Sequence, residues 1–429
     1  MRYLLALMIL VLAASDALKL DLSLAPGLSA KNALVYITTL LLVLRIIIRR
    51  EFRLELPGLT LGFAILIAYA VLSFVAIVTI IHYPRYQVFA SLLILKGLLI
   101  DSAIFFFVFF YGLESAADAK FMTKVILLAV AGANAISLLD VSGIVSLGVT
   151  VVGESGAEAD RVFGPFGHAN ETAALIICLL PAYFAAASKS SGYGRLLWIG
   201  SGSVSALMFI LTGSRGGLVG MVIGYLWAAY LSRKILPKGA LGSFMKWAFI
   251  ATIIALPIFA VLELKFGSVL LERILTYDPS EGGSGRVYIW RTAIERMMDH
   301  PLTLITGFGW NAYTTMGFIF VMHNHYLWLW FELGLVGVIT YILMIRQSIA
   351  TAKSTSRMVD AETRAYMIAF IFGMMSLSVA IFFVLLGLPW VYIWAYVGTT
   401  MRLAVAARLV PVSSPAKGLV SPILQTPKR

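Results

Sequence analysis

Charged residues and cysteines are scarce in this chain of 429 residues, and each scarcity excludes a class of protein. Only 13% of the residues are charged, whereas 60% are hydrophobic. A soluble domain of this length does not need so much apolar surface, so the composition excludes a soluble fold. The single cysteine, Cys178, excludes an intramolecular disulfide framework and also a zinc site built from several thiolates.

Apolar stretches long enough to cross a bilayer recur along the whole chain. They predict about twelve transmembrane spans, at residues 3–18, 33–48, 60–81, 88–110, 121–139, 169–188, 196–212, 216–232, 246–264, 323–345, 365–386 and 390–407. The first stretch has no clear small-residue cleavage site and is followed by another span, so we interpret it as a helix and not as a signal peptide. The prediction is an all-α integral membrane protein with one polytopic domain over 1–407 and a disordered cytoplasmic tail over 408–429.

The net charge of +12 does not indicate a nucleic-acid partner, because lysine and arginine are not gathered in one basic domain. They recur in short clusters between apolar runs, as the positive-inside rule expects. The connections assigned to the cytoplasm are 49–53, 114–120, 189–195, 233–238 and 346–364, and four of these five are clearly basic. Both termini are then cytoplasmic, and the long connections 140–168 and 265–322 lie on the external side.

The external loop 265–322 is polar and bears several arginines. Within it, one amphipathic helix is predicted to begin near Arg286 and to end at His300, because Pro301 cannot continue a helix. The apolar residues at helical spacing are Val287, Trp290, Ile294, Met297 and Met298. Such a helix is expected to lie on the outer membrane surface or to cover the spans.

Arg215 lies in a very short turn between two predicted spans, next to Gly213, Gly216 and Gly217. An arginine at membrane depth is costly unless it faces the interior of the bundle or meets an anion. The glycines would allow backbone N–H groups to approach the same anion closely. The alternative interpretation is an interfacial arginine whose charged end reaches the water.

Arg286 and Arg291 lie near the start of the amphipathic helix. A helix N-terminus and an arginine fork together make a good phosphate site. For Arg291 the alternative is a solvent-exposed pair with Glu295, four residues further along the same helix.

His323 and His325 are expected to begin the helix of the span 323–345, and they are the candidate general bases, since an imidazole at the water interface can accept a proton near neutral pH. Residues two apart point to different faces of a helix, so only one histidine can face a given site. Glu332 would be a buried carboxylate that serves a buried polar group. The alternative for either histidine is a structural role.

Asn170 and Glu171 begin the sixth span, and Lys96 and Asp101 fall inside the fourth. Polar and charged residues within the membrane favour a functional hypothesis. For Lys96 and Asp101, five residues apart, the alternative is that the two charges serve each other.

Several dispersed motifs together resemble one family. They are 211–217 (LTGSRGG), 285–290 (GRVYIW) followed by Pro301 and 307–309 (GFG), 323–327 (HNHYL) followed by Glu332, Gly334 and Gly337, the segment 163–170 (FGPFGHAN), and 25–29 (APGLS). This combination resembles the O-antigen ligase and Wzy-type polymerase superfamily of bacterial envelope glycosyltransferases.

The resemblance implies a helical GT-C-like fold in the bacterial inner membrane, with its site on the periplasmic side and a saccharide on undecaprenyl diphosphate as the donor. It assigns the family's functional arginines to Arg215 and Arg286 and its histidine to His323, since Asn324 follows that position. The further residues expected to contact substrate are Arg291, Asn324, His325, Asn170 and Gly213. Membrane lipids surround the protein, and no cofactor is implied.

The chemistry of such a transfer agrees with these residue types. A lipid diphosphate is already a good leaving group, so two arginines can neutralise its charge without a metal ion. The sequence shows no compact carboxylate cluster of the kind that holds Mg²⁺ or Mn²⁺, and Asp278 and Glu281 are the nearest approach to one. An inverting transfer independent of metal ions is therefore the prediction.

Two activities within the family and one outside it stay open. A ligase transfers a glycan to lipid A–core, and a polymerase extends one lipid-linked glycan with another. The histidine and arginine set favours the ligase, but only the acceptor separates the two. A transporter or flippase of lipid-linked sugars would spread charges and broken helices through matching halves of the chain, whereas here the polar residues concentrate in one external loop and its flanking turns.

Overall fold

A computed structural model describes residues 1–25, 28–50, 54–152, 161–236, 286–318, 321–387 and 390–409. The predicted span 246–264, the part of the external loop that holds Asp278 and Glu281, and the predicted tail from residue 410 lie outside the described residues. Those parts of the prediction stay predictions.

The described residues are almost entirely helical. The helices are α1 (Arg2–Ala17), α2 (Ala30–Arg49), α3 (Pro57–Ala76), α4 (Val88–Leu95), α5 (Asp101–Tyr111), α6 (Ala116–Ser142), α7 (Ala169–Ser188), α8 (Gly192–Leu211), α9 (Arg215–Ser232), α10 (Arg286–Met298), α11 (Thr303–Thr306), α12 (His325–Thr355), α13 (Ala361–Ala380) and α14 (Trp390–Arg408). Wider π-helical turns, Ile77–Ile81 and Lys96–Ile100, continue α3 and join α4 to α5. The short strands β1 (Ser23–Ala25) and β2 (Leu28–Ser29) form one antiparallel hairpin.

Every predicted span except 246–264 falls on a described helix or a continuous pair of helices. Within the described ranges, eight helices are long and apolar enough to cross a membrane. The prediction of an all-α integral membrane protein is therefore confirmed. The count of about twelve spans stays a prediction.

Two helices differ in length from the approximate spans predicted for them. Helix α12 continues to Thr355, well past the predicted end at 345, because a helix can extend into water after its apolar segment ends. Helix α13 ends at Ala380, so residues 381–387 leave the helix although they are apolar. Hydropathy cannot detect this departure, since the freed backbone groups find partners on other segments.

One ion pair, Lys31 with Asp16 (2.9 Å), joins the start of α2 to the end of α1. Other ion pairs between described helices lie at the opposite end of the bundle, which we call the basic end. The pairs are Arg2 with Asp118 (2.7 Å), Lys120 with Glu362 (2.8 Å), Arg402 with Glu55 (2.7 Å), and Arg45 with Glu114. They join the starts of α1, α3, α6 and α13 to one another or to the ends of α2, α5 and α14. The opposite end, where α7, α9 and α12 begin and α8 and α13 end, is called the site end below.

Helices α7 and α13 form the centre of the bundle. In α7, 83% of the most apolar 18-residue window is buried, and in α13 72% is buried, compared with 17% in α2 and in α3. Helix α13 packs against both α7 and α9, and α7 also packs against α8. The elements that carry the site therefore start or end on well-buried helices of the described chain, while α2 and α3 present apolar surface outward.

Candidate functional site

Arg215 begins α9 at the site end. Ser214 caps this helix, because its Oγ accepts a hydrogen bond from the Gly217 N–H at 3.1 Å. Gly213 adopts a φ of +57°, the left-handed conformation that lets the chain turn sharply after α8. Ser214 is buried and Arg215 is exposed. The guanidinium thus stands at the positive end of an 18-residue helix, a favourable place for an anion.

Arg161 fixes the turn before Arg215, and the sequence analysis missed it. Its Nε donates to the Thr212 carbonyl at 2.9 Å, and its Nη2 donates to Asn170 Oδ1 at 2.8 Å. Asn170 Oδ1 also accepts from the Ser214 hydroxyl at 2.9 Å. Only 4% of Arg161 is exposed. The predicted substrate residue Asn170 thus lies beside the turn, with its side-chain oxygen bound to the turn and to Arg161.

His168 lies in the motif 163–170 but is not among the predicted site residues. It caps α7, and its Nδ1 accepts from the Asn170 N–H at 3.4 Å. Its ring lies 5.0 Å from the Phe163 ring and 6.5 Å from the His323 ring, measured between centroids. The segment 163–170 therefore contacts both the turn that carries Arg215 and residues 322–325, which we call the histidine segment.

His323 precedes α12 and does not belong to it, contrary to the expectation that both histidines begin the helix. Asn324 caps α12 by accepting from the Leu327 N–H at 3.0 Å, and the helix begins at His325. His323 adopts a φ of +47°, which is uncommon for a residue with a side chain. Such a conformation persists where the surroundings determine it, often at functional sites.

His325 lies deeper than His323. Only 4% of it is exposed, and its ring is surrounded by those of Trp328, Tyr341 and Trp390 at 4.9–5.3 Å. Within the described part of the chain, its Nδ1 has no hydrogen-bond partner. The structure therefore places this predicted substrate residue in an aromatic pocket of the bundle, apart from the partly buried His323.

Helix α10 attaches to the histidine segment through Trp290. The indole Nε1 donates to the Met322 carbonyl at 2.8 Å, directly before His323. Arg286 begins this helix, one turn before Trp290 and on the same side of it. The R-x3-W spacing thus brings the helix that carries Arg286 next to His323.

The other residues of α10 correct the predicted apolar stripe. The side chains buried against the protein are Ile289, Ala293 and Met297, whereas Val287 and Met298 are exposed. The helix has apolar residues on two sides, so periodicity alone selected the wrong combination. Arg291 is exposed and donates to Glu295 at 2.7 Å, which is the arrangement that the sequence offered as the alternative for this residue.

Residues 381–387, which follow α13, contact all three segments of the site end. The Ile381 carbonyl accepts from the His325 N–H at 2.8 Å. The Gly387 N–H donates to Glu171 Oε1 at 3.1 Å. Phe383 lies so close to Gly216 that a Cβ at this glycine would be 2.5 Å from the Phe383 Cβ. Residues 381–387 therefore contact the histidine segment, the start of α7 and the turn with Arg215.

Glu332 is fully buried within α12 and serves polar groups, as predicted. Its carboxylate accepts from the backbone N–H groups of Ala312 at 2.9 Å and Tyr313 at 3.2 Å. The glutamate of the E-x-G motif thus orders the chain that returns from α10 towards His323. Both of these contacts are with the backbone of that loop.

The helix itself is interrupted two residues later. Gly334 has φ 60° and ψ −158°, which are not helical values. The interruption exposes carbonyl groups of α12, and the Glu332 carbonyl accepts from the Gly309 N–H at 2.9 Å. The loop 307–313 is therefore bound to α12 by both the side chain and the backbone of Glu332.

Lys96 and Asp101 serve each other, which confirms the alternative given for them. Lys96 Nζ lies 2.8 Å from Asp101 Oδ2, and the Tyr36 hydroxyl donates to Asp101 Oδ1 at 3.3 Å. In the ranges that the structure describes, no three His, Cys, Asp or Glu side chains gather closely enough to hold a metal ion.

The fold and the site together define a multi-pass helical membrane protein whose buried polar network and exposed arginine gather at one end of the bundle. Residues 201–342 match the family model described as O-antigen ligase. This range contains the turn with Arg215, helix α10 and the start of α12. The match confirms the resemblance to the O-antigen ligase and Wzy-type polymerase superfamily, and it indicates a membrane glycosyltransferase of the ligase or polymerase type. No curated protein matches the chain.

Proposed function

We propose that this protein transfers a glycan from undecaprenyl diphosphate to a sugar hydroxyl of lipid A–core, at the periplasmic face of the bacterial inner membrane. The observation that supports this most is the convergence of three sequence-distant segments at the site end. The turn with Arg215 packs on residues 381–387, His325 bonds to the same residues, and Trp290 joins the helix of Arg286 to Met322.

The two arginines suit a diphosphate. Arg215 stands at the first residue of α9, where the positive end of the helix dipole adds to the guanidinium charge, and Arg286 is the first described residue of α10. A guanidinium can bind phosphate oxygens through two parallel hydrogen bonds. Negative charge grows on the diphosphate as its bond to the sugar breaks. Hydrogen-bond donors that are already in position therefore lower the activation barrier of the transfer.

The proposed reaction is a single displacement. The acceptor hydroxyl oxygen attacks the anomeric carbon from the side opposite the diphosphate and forms the new glycosidic bond. The bond between that carbon and the diphosphate oxygen breaks, and its electron pair leaves with undecaprenyl diphosphate. His323 takes the proton of the acceptor hydroxyl. The configuration at the anomeric carbon is inverted, because the hydroxyl attacks once and from the side opposite the leaving group.

The charge distribution supports the proposed orientation. By the positive-inside rule, the cationic residues at the basic end favour a cytoplasmic basic end, and this supports the proposal that the site end faces the periplasm. Both described helix termini, the start of α1 and the end of α14, are at the basic end. The proposal therefore includes two cytoplasmic termini.

The acceptor is tested with purified protein in proteoliposomes. An undecaprenyl-diphosphate glycan is supplied with either lipid A–core or a second lipid-linked glycan, and product size is measured. The proposal expects glycosylated lipid A–core, with the same rate in EDTA. Extension of the second lipid-linked glycan alone would indicate a polymerase. Movement of the lipid-linked glycan across the bilayer without transfer would indicate a transporter. Loss of activity in EDTA would refute independence from metal ions.

A further inference from the structure

We propose that Arg161 is a positioning residue that fixes Arg215 for catalysis without contacting the substrate. This inference rests on the proposed function, because it assigns Arg161 a purpose only through Arg215. Arg161 lies in the connection before α7, about fifty residues before the turn that it holds. Its action depends on three segments that meet only in the folded protein.

The first step of the argument is the geometry of the hydrogen bonds. Arg161 Nε binds the Thr212 carbonyl, which is the last carbonyl before the glycine turn. Arg161 Nη2 binds Asn170 Oδ1, and the Ser214 hydroxyl binds the same oxygen. The guanidinium thus holds the turn directly on one side and through Asn170 on the other, with Arg215 immediately after.

The second step is burial. Arg161 is 4% exposed, Thr212 is fully buried, and Asn170 and Ser214 are 7% and 6% exposed. Arg215 is exposed at the helix start. A lipid-linked glycan that approaches from the site end therefore meets Arg215. Arg161 lies deeper in the protein than Arg215.

The third step is the shape of the side chain. Nε and Nη2 of one rigid planar group reach acceptors on two different segments. Lysine concentrates its donors at one flexible atom and cannot reproduce this planar fork. Arg161→Lys would keep the positive charge but lose the hydrogen bond on one side of the turn. A loss of activity in this variant therefore cannot be explained by a change of charge.

The test measures kcat and KM for glycan transfer in proteoliposomes. A catalytic group displaced by about 1 Å can cost about 100-fold in rate. We therefore expect Arg161→Lys to lower kcat by about 100-fold and to change KM much less, because Arg215 acts mainly on charge that develops during the reaction. Arg402→Lys, a similar change at the basic end, is the matched control and should keep the wild-type kcat.

The decisive comparison combines Arg161→Lys with Arg215→Lys. If Arg161 acts through Arg215, the double variant is no slower than Arg215→Lys alone. Losses that multiply would overturn the inference, since Arg161 would then act independently. Should Arg161→Lys fail to fold, Ser214→Ala breaks the same network with a small change of volume and is combined with Arg215→Lys in the same way. A wild-type protein that transfers nothing overturns the proposed function and this inference with it, whereas an active wild type with multiplying losses overturns the inference alone.

Discussion

Gly307 and Gly334 meet where the loop after α11 crosses the interruption of α12. A Cβ at Gly334 would lie 2.0 Å from the Ile305 carbonyl oxygen, and a Cβ at Gly307 would lie 2.4 Å from that of Glu332. Both glycines have positive φ values, +60° and +74°. Gly334, the glycine of the E-x-G motif, is therefore required because two backbone segments approach each other closely there. Its contribution to the site is indirect.

At this scale we predict that Gly334→Ala destabilises the protein by about 2 kcal/mol or more, because both the space and the backbone conformation exclude a side chain. The measurement is thermal unfolding in detergent. Gly132→Ala in α6 is the control, since no atom lies within 4 Å of the added Cβ. It should be neutral or stabilising by up to about 1 kcal/mol. Equal stability of the two variants would contradict the structural role of Gly334.

Local sequence revealed some site residues and concealed others. Arg215 was found because glycines surround it in a short turn between spans. Arg161 gave no such signal, because the Thr212 carbonyl that it binds lies 51 residues away in the sequence. His168 lies in the motif 163–170, but its contact with the His323 ring joins positions that are far apart in the chain. A buried polar side chain is defined by what it bonds to, and that becomes visible only in three dimensions.

At the scale of elements, α10 shows what periodicity can and cannot predict. Its bounds agree with the sequence, since Pro301 stops it and apolar residues recur at helical spacing. Its buried face does not agree, because apolar residues occupy more than one side. The residue that attaches it to the site, Trp290, does so through a polar N–H, which an apolar pattern does not register.

Trp290→Phe should therefore lower kcat/KM for transfer by about five- to tenfold, because an aromatic ring is kept but the hydrogen bond to the Met322 carbonyl is lost. The protein should still fold. Tyr288→Phe is the matched control on the same helix, where the ring is 70% exposed. Wild-type activity in Trp290→Phe would show that this bond does not position α10.

Asp360 caps α13 at the basic end, outside the predicted spans. Its Oδ1 accepts from the N–H groups of Glu362 at 2.9 Å and Thr363 at 3.0 Å. Burial opposes ionisation of this carboxyl, but hydrogen bonds from the Thr363 side chain and these N–H groups, together with the charge of Lys120, outweigh it and lower the pKa of Asp360. The ionised cap thus stabilises the folded state.

We predict that Asp360→Ala lowers the free energy of unfolding by about 1 kcal/mol. Because the folded pKa lies below the ordinary value, this contribution is present above the ordinary pKa of an aspartate and is lost as pH falls through the folded pKa. Thermal unfolding at neutral and acidic pH measures it. Asp360→Asn keeps a capping oxygen, so it should lose less stability than Asp360→Ala. The contribution of the asparagine cap to the free energy of unfolding should not depend on acid. An equal loss for both variants at every pH would contradict the role of the charge.

At the scale of the whole molecule, hydropathy and charge predicted most of the architecture. The bilayer requires long apolar helices, so their positions can be read from composition. The gathering of ion pairs at the basic end agrees with the predicted alternation of connections. The departure of residues 381–387 from the helix could not be predicted in this way, because these residues are as apolar as a span.

The proposed orientation predicts which positions a membrane-impermeant maleimide reaches. Cys178 is buried, so single cysteines can be introduced without removing it. Ile144 (74% exposed), in the connection before α7, should react as cysteine from the periplasm, and Tyr193 (92% exposed), at the start of α8, should react only after the cells are lysed. The reverse pattern would contradict the orientation.

The central claim is that Arg215, Arg286 and His323 together carry out glycan transfer from a lipid diphosphate. The most direct measurement is transfer from an undecaprenyl-diphosphate glycan to lipid A–core by the wild type and by Arg215→Ala, Arg286→Ala and His323→Ala in proteoliposomes. Arg296→Ala, at an exposed position later in α10, is the control. We predict that each of the first three variants folds and loses at least about 100-fold in kcat, while the control stays active. Wild-type rates in Arg215→Ala and His323→Ala would contradict the account.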